Sequence, residues 1–221
     1  MTLTRSDNEI LDEILKELEL DVVLQLVHPE DHTDLMLDIE TFGTGPDSVV
    51  ISIGAVRFRP ADGAYDLGKT YFSRLDVQEQ LNLGRTIEGS TLDWWFNPEQ
   101  RTAWDFHRER PTIAFDDAFR GLKAMTSGAD RVWANSPSFD CVIVRDLCRA
   151  YGLDAPWHFR AERDCRTLFD LAWSDKPQVT TPGVAHTPVA DCLHQIKMVT
   201  LAFEQFAHQT HIRSDLTAIA S

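Results

Sequence analysis

The chain has 221 residues, of which 43% are apolar and 25% are charged, a composition expected of one globular domain with a sizeable core. Its formal net charge of −14 argues against a protein that grips nucleic acid through a broad basic face, since that mode needs clustered lysines and arginines. The charge does not exclude an enzyme that handles phosphates through bound cations, because each cation adds positive charge that the sequence does not count.

The sequence contains no apolar run long enough to span a bilayer, and its acidic N-terminus does not resemble a signal peptide. A cytoplasmic protein without membrane contact is therefore expected. The cysteines form no C-x-x-C pair and are expected to be reduced, mostly buried thiols. They are Cys141, Cys148, Cys165 and Cys192.

Residues 1–33 are expected to form an N-terminal helical extension and a connector. Ser6 and Glu9 form a capping-box signal for a helix over residues 6–27. Apolar residues follow at helical spacing, at Ile10, Leu11, Ile14, Leu15 and Leu18. This apolar stripe should pack against the main domain or against a second subunit, so a homodimer is one hypothesis.

Residues 34–221 are expected to form the main domain. The sequence predicts a strand over residues 35–40, a second over 49–59 and a third over 69–75, joined as an antiparallel meander. Gly54, inside the second strand, is expected to mark a bulge or the close approach of another backbone.

From residue 90 onward helical patterns alternate with short strands. Strands are predicted at residues 131–134 and near 163–165, each followed by a helix, and the last helix is predicted over about 188–208. The resulting order, βββαβαβα, predicts an α/β fold in which helices cover a mixed sheet.

Two acidic residues end the first predicted strand. Asp38 and Glu40 lie two positions apart, so both carboxylates point to one face of the strand, while Leu37 and Ile39 take the other. Adjacent carboxylates repel each other unless a cation or a proton lies between them. Oxygen ligands at this spacing suit Mg²⁺ or Mn²⁺ better than Zn²⁺. The alternative explanation is a solvated strand face.

Two further aspartates share the local pattern [ST]-P-x-x-D, with Ser136 before Asp140 and Thr187 before Asp191. Serine or threonine as the N-cap, followed by proline, predicts a helix start and places each aspartate at the fourth helical position. An acidic residue in the first turn also stabilises the helix dipole, so either aspartate alone has a purely structural explanation.

His186 lies just before the second of these helix starts, five residues ahead of Asp191. On a continuous helix the two side chains would point about 140° apart, so we expect His186 to lie in the loop. A loop histidine beside the site could take a proton from water, because its ordinary pKa of about 6.5 is close to neutral pH. The alternative is a solvent-exposed histidine without a catalytic role.

Together these five residues resemble a known constellation. Asp38-x-Glu40, then Asp140, then His186-x4-Asp191 is similar to the pattern of the DEDDh 3′–5′ exonucleases, the RNase T-like and DnaQ-like proofreading enzymes of the ribonuclease H-like superfamily. Within that family the chain resembles compact phage and bacterial exonucleases with a Trp-Trp-Phe segment after the third strand. The resemblance extends over residues 34–208 and includes the segments 38–41, 51–56 and 133–140.

The resemblance implies a ribonuclease H-like, five-stranded mixed sheet flanked by helices. It also implies two Mg²⁺ or Mn²⁺ ions, with Asp38 between them, Glu40 and Asp191 completing one site and Asp140 supporting the other, and with His186 as general base. The implied reaction releases nucleoside 5′-monophosphates from the 3′ end of nucleic acid, and short single strands or 3′ ends are the expected partners. The phage-like resemblance alone favours DNA over RNA.

Contacts with the substrate are implied for a few neighbouring residues. The resemblance places Thr41 and Phe42 beside the terminal nucleotide and Asn135 near the site. Aromatic side chains at residues 94–96 offer a stacking surface for bases, and of the two tryptophans we expect Trp95 to make the contact. Packing inside the protein is the more ordinary explanation for such tryptophans. The nearest basic cluster, which would guide the substrate backbone or simply be solvated, is Arg101, Arg108 and Arg110.

Two other functions are compatible with the same sequence. A non-catalytic binding or interaction module could use the same fold, although it would not need four converging carboxylates and a histidine. A metal-dependent phosphodiesterase for small nucleotides is the second alternative. Product analysis on oligonucleotides and dinucleotides would separate these functions.

Overall fold

The computed structural model describes residues 33–180 and 183–219. Within them five strands form one sheet in the order β3-β2-β1-β4-β5. The first three strands are antiparallel, whereas β4 joins β1 in parallel and β5 joins β4 in parallel, so the predicted mixed sheet is confirmed. The strands are β1 (Asp34–Thr41), β2 (Val50–Phe58), β3 (Tyr65–Arg74), β4 (Arg131–Ala134) and β5 (Glu162–Asp164).

Seven α-helices flank the sheet in the described part of the chain, and short 3₁₀ turns lie at Pro98–Gln100 and Phe159–Ala161. The helices are α1 (Val77–Asn82), α2 (Gly89–Trp95), α3 (Arg101–Arg108), α4 (Phe115–Thr126), α5 (Asp140–Ala150), α6 (Cys165–Ala172) and α7 (Pro188–Ile219).

Three element boundaries differ from the sequence prediction. β3 begins four residues earlier than predicted, at Tyr65, because the hairpin closes tightly: the Arg59 N–H donates to the Ala64 carbonyl at 2.8 Å. Helix α7 continues beyond residue 208 because no glycine or proline interrupts residues 189–219. Helix α1 was not predicted, although Asp76 and Glu79 carry its signal: the Asp76 carboxylate accepts from the Glu79 N–H at 2.8 Å.

Both faces of the sheet are covered by apolar side chains. Along β1, Leu35 and Leu37 face the core formed with α4 and α5, while Met36 faces the core formed with α6 and α7. Because β1 is buried on both sides, its two carboxylates near the C-terminal end lie at the edge of a rigid, densely packed element.

The four cysteines are free and buried, as predicted. Among the described helices, none is long and apolar enough to cross a membrane. The helix predicted over residues 6–27, and with it the hypothesis of a dimer contact, lies outside the described residues.

Candidate active site

Strand β1 presents Asp38 and Glu40 on the face that carries α7. Asp38 lies opposite Gly54 of β2 in the strand register. A Cβ atom at Gly54 would lie 2.5 Å from Pro188 Cβ and 2.9 Å from the Val189 nitrogen, closer than side chains tolerate. The glycine therefore allows the N-terminus of α7 to press against the sheet beside Asp38, which is the close approach that the sequence predicted.

Helix α7 brings Asp191 to the same edge. Its first residue is Pro188, so Asp191 is the fourth helical residue, as predicted, and the Asp191 N–H donates to the Thr187 carbonyl at 3.0 Å. One turn later, Gln195 Nε2 donates to Asp38 Oδ1 at 2.8 Å. The helix is thus tied directly to the carboxylate of the strand beneath it.

Asp140 approaches from the other side, on α5. The predicted helix start at Ser136 is wrong, because α5 begins at Asp140 itself. The N–H groups of Phe139 and Asp140 share the Ser136 carbonyl at 2.9 and 3.1 Å, which forms a tight turn before the helix. Asp140 Oδ1 then accepts from the Ile39 N–H at 3.2 Å, so this carboxylate is fixed between Asp38 and Glu40 of β1.

All four carboxylates and His186 line one open pocket, with a volume of about 360 Å³. Asn135, predicted to lie near the site, also lines this pocket. Residues from three separate segments of the chain therefore meet at the C-terminal end of β1.

The carboxylates repel one another in this pocket. Burial raises the pKa of Asp140 and of Asp191 to about 7, although the Ile39 N–H opposes the shift for Asp140 and backbone hydrogen bonds of His186 and Thr187 oppose it for Asp191. Burial, reinforced by the charges of Asp140 and Asp191, raises the pKa values of Asp38 and Glu40 well above their ordinary values. Such a cluster is stabilised by protons or by cations.

The donor set fits a hard divalent cation. Donor atoms of Glu40, His186 and Asp191 all lie within 4.8 Å of one another. The site is dominated by carboxylate oxygens, which suits Mg²⁺ or Mn²⁺ better than Zn²⁺. In addition, the buried Oε1 atom of Gln195, whose amide nitrogen contacts Asp38, has no hydrogen-bond donor among the described residues. The oxygen donors at this edge are thus compatible with a divalent metal.

His186 lies in the loop before α7, as predicted, and its backbone has a φ of 61°, in the left-handed region that non-glycine residues seldom adopt. Its ring meets the ring of Trp94 edge-on, with centroids 4.8 Å apart. Partial burial lowers the pKa of His186 below its ordinary value, so the ring is neutral at pH 7 and able to accept a proton.

The aromatic contact predicted for Trp95 is wrong in this structure. Trp95 is only 1% exposed, packs with Phe42 and Trp104, and donates its indole N–H to the Thr41 carbonyl at 2.9 Å. Its neighbour Trp94 is 38% exposed and borders His186. Thr41 and Phe42 are themselves buried, so only a small part of each side chain could contact a nucleotide. That contact stays a prediction.

The predicted basic cluster is divided. Arg110 is buried, with its guanidinium 3.2 Å from the centre of the Phe106 ring, so it cannot guide a substrate backbone. Arg101 and Arg108 are exposed, but both pair with Asp105 at 2.9 Å. Their contribution to a basic surface is therefore partly neutralised.

Three further residues at the site were missed by sequence reasoning: Arg166, His194 and Gln195 line the pocket. Arg166 follows β5 by two residues, and the C-terminal ends of parallel strands are where α/β sites gather, a signal that could have found it. Its guanidinium donates to the Asn135 carbonyl at 3.1 Å. His194 and Gln195 lie one turn after Asp191, on the same face of α7.

Comparisons with known proteins found a matching family model, a phage relative and a solved structure of similar fold. A family model described as the 3′–5′ exoribonuclease Rv2179c-like domain matches residues 33–203. The exodeoxyribonuclease of Enterobacteria phage T4 is 26% identical, over 76% of this chain and 88% of the phage protein. The crystal structure of cell-death related nuclease 4 (CRN-4) has a TM-score of 0.52 at 17% identity, covering 80% of this chain and 66% of that one. That likeness concerns the fold, which is ribonuclease H-like as predicted.

Proposed function

Because the chain belongs to the family of 3′–5′ exoribonuclease Rv2179c-like domains, we propose that it removes nucleotides one at a time from the 3′ end of single-stranded nucleic acid. The family makes it an exonuclease. The observation that carries the finer proposal is the convergence of four carboxylates and a loop histidine in one open pocket. This convergence supports the proposal that the chain is an exonuclease of the DEDDh type.

Asp38, Glu40, Asp140 and Asp191 are the residues that would hold two Mg²⁺ or Mn²⁺ ions. When bound, such cations would offset the clustered negative charge and stabilise the charge that develops on the phosphate during hydrolysis. The protein itself fixes the ligands: Gln195 holds Asp38, and the Ile39 N–H holds Asp140. These hydrogen bonds support the proposal because they orient the carboxylates before any ligand arrives.

His186 is proposed as the general base. Its neutral ring accepts a proton from water while the water oxygen forms a bond to phosphorus. The bond from phosphorus to the 3′ oxygen of the preceding nucleotide breaks, and this oxygen takes a proton from solvent. The products are a nucleoside 5′-monophosphate and a strand shortened by one nucleotide. The edge-on contact with Trp94 supports this role because it limits rotation of the His186 imidazole ring.

The proposed substrate is a short single strand or a frayed 3′ end. Trp94, which is 38% exposed and contacts His186, provides aromatic surface beside the site for stacking of bases. Phe96, two residues further along the chain and 63% exposed, extends the exposed aromatic surface. The net charge of −14 disfavours an extended duplex-binding surface. The family description refers to RNA, whereas the name of the phage relative refers to DNA, so both polymers belong in the test.

The test uses single-stranded DNA and RNA labelled at either end, with Mg²⁺, with Mn²⁺ or with EDTA. Stepwise shortening from the 3′ end is expected, requiring metal and lost in Asp38→Ala and His186→Ala. Release of 5′-monophosphates from long oligonucleotides would distinguish this activity from that of a small-nucleotide phosphodiesterase. Binding without cleavage under every condition would instead favour a non-catalytic module, and cleavage that survives both substitutions would place the site elsewhere.

A further inference from the structure

A buried histidine lies directly behind the proposed general base. His107, near the C-terminus of α3, is 0% exposed. Its Nε2 atom lies 3.0 Å from the backbone carbonyl oxygen of His186, and its Nδ1 atom lies 3.3 Å from the hydroxyl of Ser52 on β2. Each ring nitrogen of His107 thus has one hydrogen-bond partner. One of these partners is the backbone carbonyl of His186, the proposed general base.

The chemistry of the two partners fixes where the hydrogen lies. A carbonyl oxygen can only accept a hydrogen bond, so Nε2 of His107 must carry the hydrogen and donate it to His186. Burial lowers the pKa of His107 to about 4, with Arg110 and Arg74 adding to the shift, so Nδ1 carries no second hydrogen at neutral pH. The Ser52 hydroxyl therefore donates to Nδ1, and the hydrogen bonds run in one direction from Ser52 through His107 to His186.

The ring of His107 cannot turn away from this arrangement. Trp95 and Phe106 contact it edge-on, with centroids 5.4 and 5.2 Å away. Ser52 is also fully buried and lies opposite Glu40 in the register of β1 and β2. The series of hydrogen bonds therefore begins on strand β2, directly beside the proposed metal ligands on β1.

At the other end, the chain of hydrogen bonds reaches a strained residue. His186 has a φ of 61°, which a β-carbon makes unfavourable and which persists only where the surroundings hold it. The hydrogen bond from His107 holds the carbonyl of this residue, while the edge-on contact with Trp94 limits rotation of its ring. With its backbone fixed, the His186 ring reaches the position where its nitrogen lies within 4.8 Å of donor atoms of Glu40 and Asp191.

We propose that His107 is a positioning residue for the exonuclease reaction: by donating a hydrogen bond to the His186 carbonyl, it holds the general base in its strained, productive conformation. This inference rests on the proposed function, since it assigns His107 a role only through the role of His186. It does not require His107 to touch the substrate.

The kinetic test compares His107→Ala with His107→Gln. The Gln side chain keeps an N–H near the position of Nε2, whereas Ala removes the donor. A displacement of the base by about 1 Å costs on the order of 10²-fold in rate, so His107→Ala is expected to lower kcat by about 10²-fold with little change in KM. His107→Gln is expected to recover most of this loss, because it restores the hydrogen bond to His186.

A matched control separates positioning from a general loss of stability. Leu122→Ala removes a buried side chain from α4, in the core on the other face of the sheet, and should lower the melting temperature while leaving kcat unchanged. An unchanged kcat in His107→Ala, a parallel loss in His107→Gln, or an equal loss of kcat in Leu122→Ala would overturn the proposal.

A measurement without substrate keeps this inference distinct from the proposed function. Long-range ¹H–¹⁵N NMR of the wild-type protein should show His107 as the neutral Nε2–H tautomer, and the backbone signals of His186 should shift in His107→Ala and return in His107→Gln. Unchanged His186 signals in His107→Ala, or a hydrogen on Nδ1 of His107, would overturn the inference. If the NMR results are as expected but the wild-type protein cleaves no nucleic acid, the proposed function fails and the hydrogen-bond arrangement stands.

Discussion

The chemistry of individual residues in this protein depends on negative charges held close together. Asp38, Glu40, Asp140 and Asp191 occupy one pocket, and burial raises the pKa values of all four. For Asp38 and Glu40, repulsion from the neighbouring carboxylates adds to the shift. Groups arranged in this way weaken the folded state unless cations accompany them. If the site binds metal as proposed, this cluster lowers the stability of the metal-free protein in favour of metal binding.

A pH-dependent difference in stability is expected for Asp140→Asn without metal. The pKa of Asp140 is raised from 3.8 to about 7, so the protonated form favours the folded state. The stability that this group contributes is complete below about pH 4 and is lost as pH rises through about 7. Because Asn is always neutral, Asp140→Asn should become more stable than the wild type as pH increases from about 5 to 8.

Urea unfolding in EDTA at several pH values would measure this difference. The exposed Asp116, in the first turn of α4, supplies the control: Asp116→Asn should differ from the wild type by a constant amount over the same range. An Asp140→Asn advantage that does not grow with pH would contradict the raised pKa of the buried Asp140 carboxyl group.

Arg166 is the arginine that lines the pocket, where it faces a set of anionic groups. A phosphodiester substrate is also anionic, so we expect Arg166 to bind a substrate phosphate. A hydrogen bond to a charged group contributes about 1.5–3 kcal/mol. Arg166→Gln should accordingly lower kcat/KM by about 10- to 100-fold, mainly through KM, and Arg166→Lys should lose less.

Steady-state kinetics on a short single strand would measure this effect. Arg160→Gln, an exposed substitution in the 3₁₀ turn before β5, is the control and should leave both constants unchanged. A wild-type KM in Arg166→Gln would remove Arg166 from the proposed substrate contacts.

At the scale of secondary-structure elements, the site depends on how closely α7 packs on β2. The position of Asp191 is set by the first turn of this helix, and that turn lies against Gly54. Strand β1 lies directly beside Gly54, so any displacement of α7 moves Asp191 relative to Asp38. The contact between one glycine and one helix start thus links packing to the proposed metal site.

Gly54→Ala is expected to disturb both stability and activity. The added Cβ would lie 2.5 Å from Pro188 Cβ and 2.7 Å from its carbonyl carbon, so α7 must shift. Overpacking of this kind costs about 1–3 kcal/mol in the free energy of unfolding. Activity should fall by more than the fraction of protein that unfolds, because the displaced helix carries Asp191. Chemical denaturation and nuclease assays would measure the two effects.

Gly89→Ala is the matched control for this prediction. Gly89 is the first residue of α2, and a Cβ there meets no atom within 4 Å. The substitution should leave both stability and activity close to wild type. If Gly54→Ala behaved like Gly89→Ala, close packing at Gly54 would not be what positions α7.

For the whole molecule, the net charge of −14 is compatible with binding of nucleic acid only if the negative charge is offset at the site. The exposed arginines of α3 do not supply this, because Arg101 and Arg108 both pair with Asp105. Divalent cations held by the carboxylate cluster would supply it, and they would bind the folded chain in preference to the unfolded one.

Addition of Mg²⁺ or Mn²⁺ should therefore raise the melting temperature in a saturable manner. A ligand present at 100 times its Kd stabilises the folded state by about 2.7 kcal/mol. Differential scanning fluorimetry with NaCl at matched ionic strength would separate specific binding from screening. The same rise in Asp38→Ala, or an equal rise with NaCl, would contradict metal binding at this cluster.

Local sequence determined much of the protein. Alternation along β1 places Asp38 and Glu40 on one face, and the Thr187-Pro188 start of α7 places Asp191 in its first turn, because both features depend on backbone periods of two and 3.6 residues. The order of strands and helices likewise predicted the mixed sheet. These local patterns did not predict that the five candidate site residues would lie together. Only the resemblance of the sequence to the DEDDh exonucleases predicted that.

The tertiary structure alone decided the environment of each side chain. It buried Trp95 and exposed Trp94, began α5 at Asp140, and placed His107 behind the carbonyl of His186. These features depend on contacts between segments that lie far apart in the chain. His107 and His186, for example, are 79 positions apart in the sequence. Periodicity describes which residues share a face of one element, but burial and hydrogen-bond partners depend on which other element packs against that face.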